Sequence, residues 1–483
     1  MYQHFGVMVD CSRNAVPNLK SLKTLIDCLQ KMGYNTLELY TEDTYEVEGE
    51  PYFGYLRGRY SGEELKEIDA YAKEHGIELI PCIQTLAHFT NSVKLPRFNE
   101  ITDVNDILLI DDDKTYEFID RLFASLAKNF SSRRVNIGMD EAHMVGLGKY
   151  LDEHGFKNRF EILNRHLTRV IEIAEKYGFQ AHMWSDMFFR LASKGEYYTE
   201  GVHIPPEVRE KVPKSLALAY WDYYHREKAV YDYMIASHLE FDREIWFAGG
   251  AWVWNGFAPR TGFAYATMKP AMQSVREHGI QNVLITLWGD NGGECPPFAV
   301  LQTLYAIRRY ADGEFDDAVI AKEFQNLFGI AAADFDLLEL PDCVPVRKAK
   351  YEADNPSKSL CYADPFLGIF DGALERNQQI PYAEYAKRLA EAKARAGEFA
   401  YLFESSEKLC RFLEVKAYLG VRTRKAYKSG DKKELKNLIK DYAEAETRLQ
   451  VFFDAFSAQW NRVNKPFGFE VQCARLGGML PSP

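Results

Sequence analysis

The eight cysteines, at 11, 28, 82, 295, 343, 361, 410 and 473, include no Cys-x-x-Cys pair. That excludes a zinc ribbon and a disulfide scaffold, and points to free thiols in a reducing compartment. No stretch approaches the roughly 18 uninterrupted apolar residues of a membrane span. The net charge is −11, and no dense Lys/Arg block interrupts it, so neither nucleic acid nor an anionic membrane surface is an expected partner. The opening MYQHFGVMVDCSRN has no basic leader and no small-residue cleavage site, and the expectation is an unexported, cytoplasmic protein. A G-x-G-x-x-G after the first apolar run and an H-E-x-x-H are also missing, so dinucleotide and zinc-protease readings have no support.

What is present is a globular composition of 47% hydrophobic and 27% charged residues, with an unusual 14% aromatic content. At roughly 150 residues per domain, 483 residues suggest two or three domains. Six of the seven tryptophans (Trp184, Trp221, Trp246, Trp252, Trp254 and Trp288) fall between residues 184 and 288; only Trp460 lies apart.

A short apolar run followed by an amphipathic stretch recurs eight times. The runs are 5–10, 35–40, 77–84, 134–140, 179–186, 216–222, 244–252 and 282–288, with helical patterns at 18–32, 62–75, 114–129, 159–177 and 266–278. Gly33, Gly76, Gly178 and Gly279 each follow a helical pattern as left-handed caps that return the chain to the next strand. Runs apolar on both faces and alternating with helices form buried parallel sheets. Eight such units in about 300 residues predict a (β/α)8 TIM barrel over 1–312, with chemistry at the carboxyl ends of the strands. A connecting helix and an irregular, proline-containing linker are expected over 313–369. A C-terminal α-helical domain over 370–483 would pack on the barrel or on a second copy, making the protein a homodimer.

The ends of the runs collect Asp10 and Arg13, Glu42 and Asp43, Gln84 and His88, Asp140 and Glu141, Trp184 and Asp186, Trp221, Asp222 and Tyr223, Trp252 and Trp254, and Trp288 and Asp290. Indoles pack on the C–H faces of sugar rings, while carboxylates and guanidinium groups bind the hydroxyls, so this rim suits a carbohydrate. Two adjacent acids closing an apolar strand, Asn136-Ile137-Gly138-Met139-Asp140-Glu141, are costly to bury without pairing or a task.

That motif resembles the His/Asn-x-Gly-x-Asp-Glu strand of glycoside hydrolase family 20, the β-N-acetylhexosaminidases. VDCSRN, ELYTEDTY, IPCIQTLAHF and LWGD at the first, second, third and eighth runs extend the likeness over roughly residues 1–310. The helical C-terminus resembles that of a family branch without the usual N-terminal α/β domain. The resemblance implies substrate-assisted retention, a stated exception to the two-carboxylate scheme of most glycosidases. Glu141 would be the general acid and Asp140 would orient the substrate's 2-acetamido group, its charge helping to keep Glu141 protonated. Arg13 would grip the sugar 3- and 4-hydroxyls and Asp290 the 4- and 6-hydroxyls; His88 would stand near the acid, and Trp184, Trp221 and Trp288 would wall the acetamido pocket.

The seventh run, GGAWVWNGF, lacks the family's Tyr-x-Asp, whose tyrosine bonds the acetamido oxygen. Tyr223 is the favoured substitute over Tyr220 and Tyr224, since alternation puts it on the face of Trp221. Asp222, Trp252 and Trp254 are expected neighbours, and Asp186 and Glu294 are expected to form ion pairs only. His143 beside the acid pair lacks the spacing of a metal site. No metal or cofactor is implied, and Gly289, Gly292 and Gly293 read as a flexible rim. The expected activity is exo-cleavage of terminal β-GlcNAc or β-GalNAc from small glycans. The rivals are a barrel glycosidase with an enzyme nucleophile, such as Asp290 or Glu42, and an inactive glycan-binding barrel.

Overall fold

The computed structural model describes residues 2–343, 355–369, 371, 374 and 379–479. Eight parallel strands close into a barrel: β1 (His4–Asp10), β2 (Thr36–Tyr40), β3 (Glu78–Cys82), β4 (Arg134–Asn136), β5 (Gln180–Trp184), β6 (Ala217–Trp221), β7 (Ile245–Gly250) and β8 (Asn282–Leu287). They pair in the order β1-β8-β7-β6-β5-β4-β3-β2, and β2 returns to β1. Every run expected from the sequence contributes one strand.

Helices α1 (Leu19–Met32), α2 (Gly62–Glu74), α3 (Asp113–Asn129), α4 (Arg159–Lys176), the short α5 (Asp186–Ala192), α6 (Lys228–Leu239), α7 (Thr261–Glu277) and α8 (Leu301–Asp312) follow the strands in turn. Asn18 opens α1 and Ser61 opens α2 with side-chain caps, the latter as a full capping box with Glu64. All four cap glycines have left-handed backbones, with φ between 68° and 81°. α7 starts five residues earlier than the pattern indicates and carries Pro270 in its interior.

The largest shortening is β4, which ends at Asn136 rather than running to Asp140. Gly138, Met139 and Glu141 all take positive φ, which ends the ladder and turns the acidic pair onto the barrel rim. The barrel interior contains a polar layer that the apolar runs conceal. Glu38 accepts from His182 at 2.8 Å, and His182 stacks on Trp246 with ring centres 4.6 Å apart. Asn136 Nδ2 lies 3.4 Å from Glu38 Oε2.

Beyond the barrel come α9 (Asp317–Phe328), α10 (Pro356–Tyr362), α11 (Tyr382–Lys393), α12 (Ala400–Lys416), α13 (Leu419–Ser429), the 32-residue α14 (Lys432–Val463) and α15 (Phe469–Gly477). The stretch expected to be irregular is therefore partly helical: a 3₁₀ segment spans Leu337–Asp342, and Pro356 starts α10 with its preset φ. The rest of that linker, 344–354, lies outside the described residues. The helical segment packs on the barrel. Phe257, from the loop after β7, sits edge-on to Phe452 and Phe456 at 5.4 and 5.5 Å, and Lys465 N–H donates to the Val16 carbonyl at 2.8 Å. Among the described residues no helix is long and apolar enough to cross a membrane.

Candidate active site

The turn after β4 is built around Gly138. A Cβ there would stand 2.1 Å from Gln84 Oε1, and φ is +70°, so no other residue fits without displacing Gln84. Asn136 Oδ1 accepts from Gly138 N–H at 3.0 Å and Gln84 Oε1 from Met139 N–H at 3.2 Å. Gln84 Nε2 then donates to Asp140 Oδ1 at 2.8 Å and to the Tyr40 hydroxyl at 3.0 Å. One buried amide thus fixes both the turn and the first acid. The second is fixed from the other side: Glu141 N–H donates to Asp186 Oδ2 at 3.1 Å, and Arg190 Nη2 lies 3.8 Å from the Glu141 carboxylate.

Asp140 is buried, whereas 44% of the Glu141 side chain is exposed. His88 stands between them, its Nε2 being 3.1 Å from Asp140 Oδ2 and 3.8 Å from Glu141 Oε2. The contact to Asp140 is an ion pair too bent for a linear hydrogen bond. Burial works against charge on both partners, but each stabilises the other. Desolvation raises the Asp140 carboxyl, yet the His88 cation and the Gln84 hydrogen bond hold it below its ordinary value. Desolvation likewise disfavours charged His88, and Asp140 and Glu42 overcome it, carrying its pKa up to about 9. Burial, assisted by the Asp140 charge, pushes Asp186 up to about 7.

Arg13 occupies the far side of the site. Its guanidinium lies 2.9 Å from Asp10, 3.6 Å from Glu42 and 3.7 Å from Asp290, and 4.9 and 5.1 Å from the ring centres of Tyr40 and Trp288. Desolvation opposes its charge, but Asp10 and the other anions around it prevail. Asp10 also accepts from Gly289 N–H at 2.9 Å, tying β1 to the loop after β8. Burial raises both Glu42 and Asp290, with Arg13 opposing the rise in each.

Between the two charged groups lies a pocket with about 470 Å³ of empty space. Ten of the residues expected at the site line it: Arg13, His88, Asp140, Glu141, Trp184, Trp221, Tyr223, Trp254, Trp288 and Asp290. Trp221 and Tyr223 stack in parallel, ring centres 5.5 Å apart, so the alternation argument places Tyr223 on the intended face. Two expected residues stand one layer back. Asp222 is fully buried and accepts from the Tyr220 hydroxyl at 2.9 Å, Tyr224 N–H at 3.0 Å and the His225 ring at 2.8 Å, so it shapes the loop and does not face the pocket. Trp252 stacks behind Trp254 at 3.8 Å and donates its indole N–H to the Tyr223 carbonyl at 3.0 Å. Both lie just past the end of a strand, Asp222 after β6 and Trp252 after β7.

Tyr224 also lines the pocket. Alternation favours Tyr223 over it, but β6 ends at Trp221, and beyond the strand the two consecutive tyrosines face the same pocket. Gln84, collected with His88 at the end of the third run, and Arg190, which the sequence does not single out, act on the acid pair from separate elements. Among the described residues, His88, Asp140 and Glu141 form a group that could hold a metal ion, their ligand atoms lying within 4.8 Å of one another. His143 is not in the group.

An eight-stranded parallel barrel with an acidic, indole-walled pocket at the carboxyl ends of its strands is a TIM-barrel enzyme architecture. The chain belongs to glycoside hydrolase family 20. Residues 2–232 match the family's catalytic domain, "Glycosyl hydrolase family 20, catalytic domain", and residues 333–482 match the "Glycoside Hydrolase 20C C-terminal domain". Beta-hexosaminidase 3 of Arabidopsis thaliana is 24% identical over 40% of this chain and 38% of its own length. A protein of Arthroderma benhamiae named "Probable beta-hexosaminidase" is 23% identical over 68% of this chain and 54% of its own. The chain thus spans about half or less of the length of these curated relatives. In fold it resembles the Flavobacterium johnsoniae chitobiase structure, with a TM-score of 0.52 at 14% identity, covering 95% of this chain and 78% of that one.

Proposed function

We propose that the protein is an exo-β-N-acetylhexosaminidase that releases terminal β-linked GlcNAc or GalNAc from small glycans with retention, the substrate's own acetamido oxygen serving as nucleophile. The observation that carries this reading is the division of labour in the acid pair. Asp140 is buried and locked between Gln84 and His88, while Glu141 beside it opens into a pocket walled by Trp184, Trp221 and Trp288. A buried, charged Asp140 suits a partner for the acetamido N–H. A half-exposed Glu141 suits proton donation to the leaving oxygen. The acetamido oxygen attacks the anomeric carbon as the glycosidic bond breaks, and Glu141 delivers its proton to the departing alcohol. Water then adds to the oxazolinium carbon at C1, with Glu141 taking up the proton.

Tyr223, buried and stacked on Trp221, is the group proposed for the acetamido oxygen. Of the two rival nucleophiles, Glu42 sits behind Arg13, bonded to the Tyr40 hydroxyl at 3.1 Å, and Asp290 is held by Arg13.

Chromogenic β-GlcNAc, β-GalNAc and plain β-glucoside, offered to wild type, Glu141→Gln and Asp140→Asn, test the reading. Hydrolysis confined to the acetamido sugars, with losses of about 10²–10⁴-fold in each variant, is expected. Comparable turnover of the glucoside would transfer the assignment to an enzyme nucleophile, and no turnover at all would favour a glycan-binding barrel.

A cytoplasmic site is proposed on the strength of eight free thiols, six of them buried. A homodimer is proposed from the exposed Phe366, Leu367, Ile369 and Tyr427 on the helical segment, and light scattering would test it.

A further inference from the structure

The loop between β8 and α8 presents Asp290 to the pocket, and glycines at 289, 292 and 293 suggest from sequence a loose rim. Its surroundings are anything but loose. Arg475, from α15, donates to the Asn291 carbonyl at 2.6 Å and lies 3.3 Å from Asn291 Oδ1, while Gln472 on the same helix donates to the Gly292 carbonyl at 2.9 Å. Lys358, from α10, donates to the Asn291 carbonyl at 2.7 Å. Both cations converge on Glu294, whose side chain is completely buried: Lys358 Nζ at 2.6 Å and Arg475 Nη1 at 3.0 Å from the same Oε1.

The glycines make this approach feasible. A Cβ at Gly292 would stand 2.6 Å from Arg475 Nη1, and one at Gly293 3.0 Å from the Arg13 carbonyl. Asp290 also donates order to the neighbouring loop, its carbonyl accepting from Asn255 N–H at 3.1 Å. None of Lys358, Glu294, Gln472 or Arg475 lines the pocket. Two basic groups and a buried carboxylate are thus committed to a loop whose one outward task is to present Asp290 beside Arg13.

We propose that the C-terminal helical segment is a working part of the sugar site: Lys358, Glu294 and Arg475 are positioning residues that clamp the loop after β8 and set Asp290 against Arg13 for the hydroxyls of the bound ring. The inference rests on the hexosaminidase reading for the identity of the ring. The clamp itself does not depend on it.

The test is a double-mutant cycle in the full chain with Arg475→Ala, Asp290→Asn and the pair, read on chromogenic β-GlcNAc. Amide exchange of the peptide covering 287–295 is measured alongside, without substrate. A clamp acting through Asp290 predicts that Arg475→Ala lowers kcat/KM about tenfold, chiefly through KM. It also predicts little further loss in the Asp290→Asn background. Exchange of the peptide should accelerate, while the exchange of the barrel strands stays as in wild type. Additive losses, or wild-type kinetics for Arg475→Ala, would overturn the proposal. If wild type turns over no acetamido sugar, the functional reading fails by itself and the exchange experiment decides the clamp: unchanged protection of 287–295 in both Arg475→Ala and Lys358→Met would refute it, and faster exchange would support it.

Discussion

His88 carries the charge logic of the site. It adopts a left-handed backbone at φ 63°, a conformation that costs a non-glycine residue free energy and is retained where tertiary contacts demand it. The demand here is the Asp140 pair. Because the folded pKa of His88 is raised from 6.5 to about 9, its share of stability is complete below 6.5 and fades as pH rises through 9. The Asp140 carboxyl is depressed below 3.8, so its share is complete above that value and fades as pH falls through the lower folded one. His88→Gln should therefore melt a few degrees below wild type between pH 4.5 and 6.5, with the gap closing above pH 9; melting curves across pH check this. A pH-independent gap would mean that the ring serves by packing alone. Charge at strand ends made Arg13, His88, Asp140, Glu141 and Asp290 legible in the sequence. Arg190, whose side chain reaches Glu141 from α5, gives no such signal, because its partner lies 49 positions away and only folding brings them together.

At the scale of the element, the decisive feature is the turn after β4. Three left-handed residues in four end the strand, and Gly138 is the one whose side-chain space is already filled. Gly138→Ala should lose about 1–2 kcal/mol from backbone strain alone, and more from the displacement of Gln84. Gly76→Ala has the same backbone penalty at φ 69° with nothing within 4 Å of the new methyl, so it isolates the backbone part. Chemical denaturation of the two variants should show Gly138→Ala as clearly the less stable, with hydrolysis impaired only there. Equal losses would mean that Gln84 yields freely. Helices and strands were readable because caps and alternation are local. The end of β4 was not, since the apolar spacing runs on through Ile137 and Met139 while the glycine and its neighbours break the ladder. Asp222 and Trp252 illustrate the same limit: both lie just past the end of a strand, where the loop path decides between the pocket and the layer behind it.

For the whole molecule, the barrel and the helical segment form a continuous frame around one pocket. The loops after β1, β7 and β8, which bring Arg13, Trp254 and Asp290, are all touched by the C-terminal segment, through Lys465 on Val16, Phe452 and Phe456 on Phe257, and Arg475 on Asn291. The closed parallel topology was legible from eight repeated units. That the helical segment would reach the rim was not, because amphipathic faces announce burial and not the identity of the surface that covers them. The central claim is that the nucleophile belongs to the substrate. Its most direct test is kcat/KM for a chromogenic β-GlcNAc series in which the acetamido methyl bears zero, one, two or three fluorines, each weakening the carbonyl oxygen further. A steep fall along the series is expected, and a flat series would contradict the account and return the nucleophile to an enzyme carboxylate.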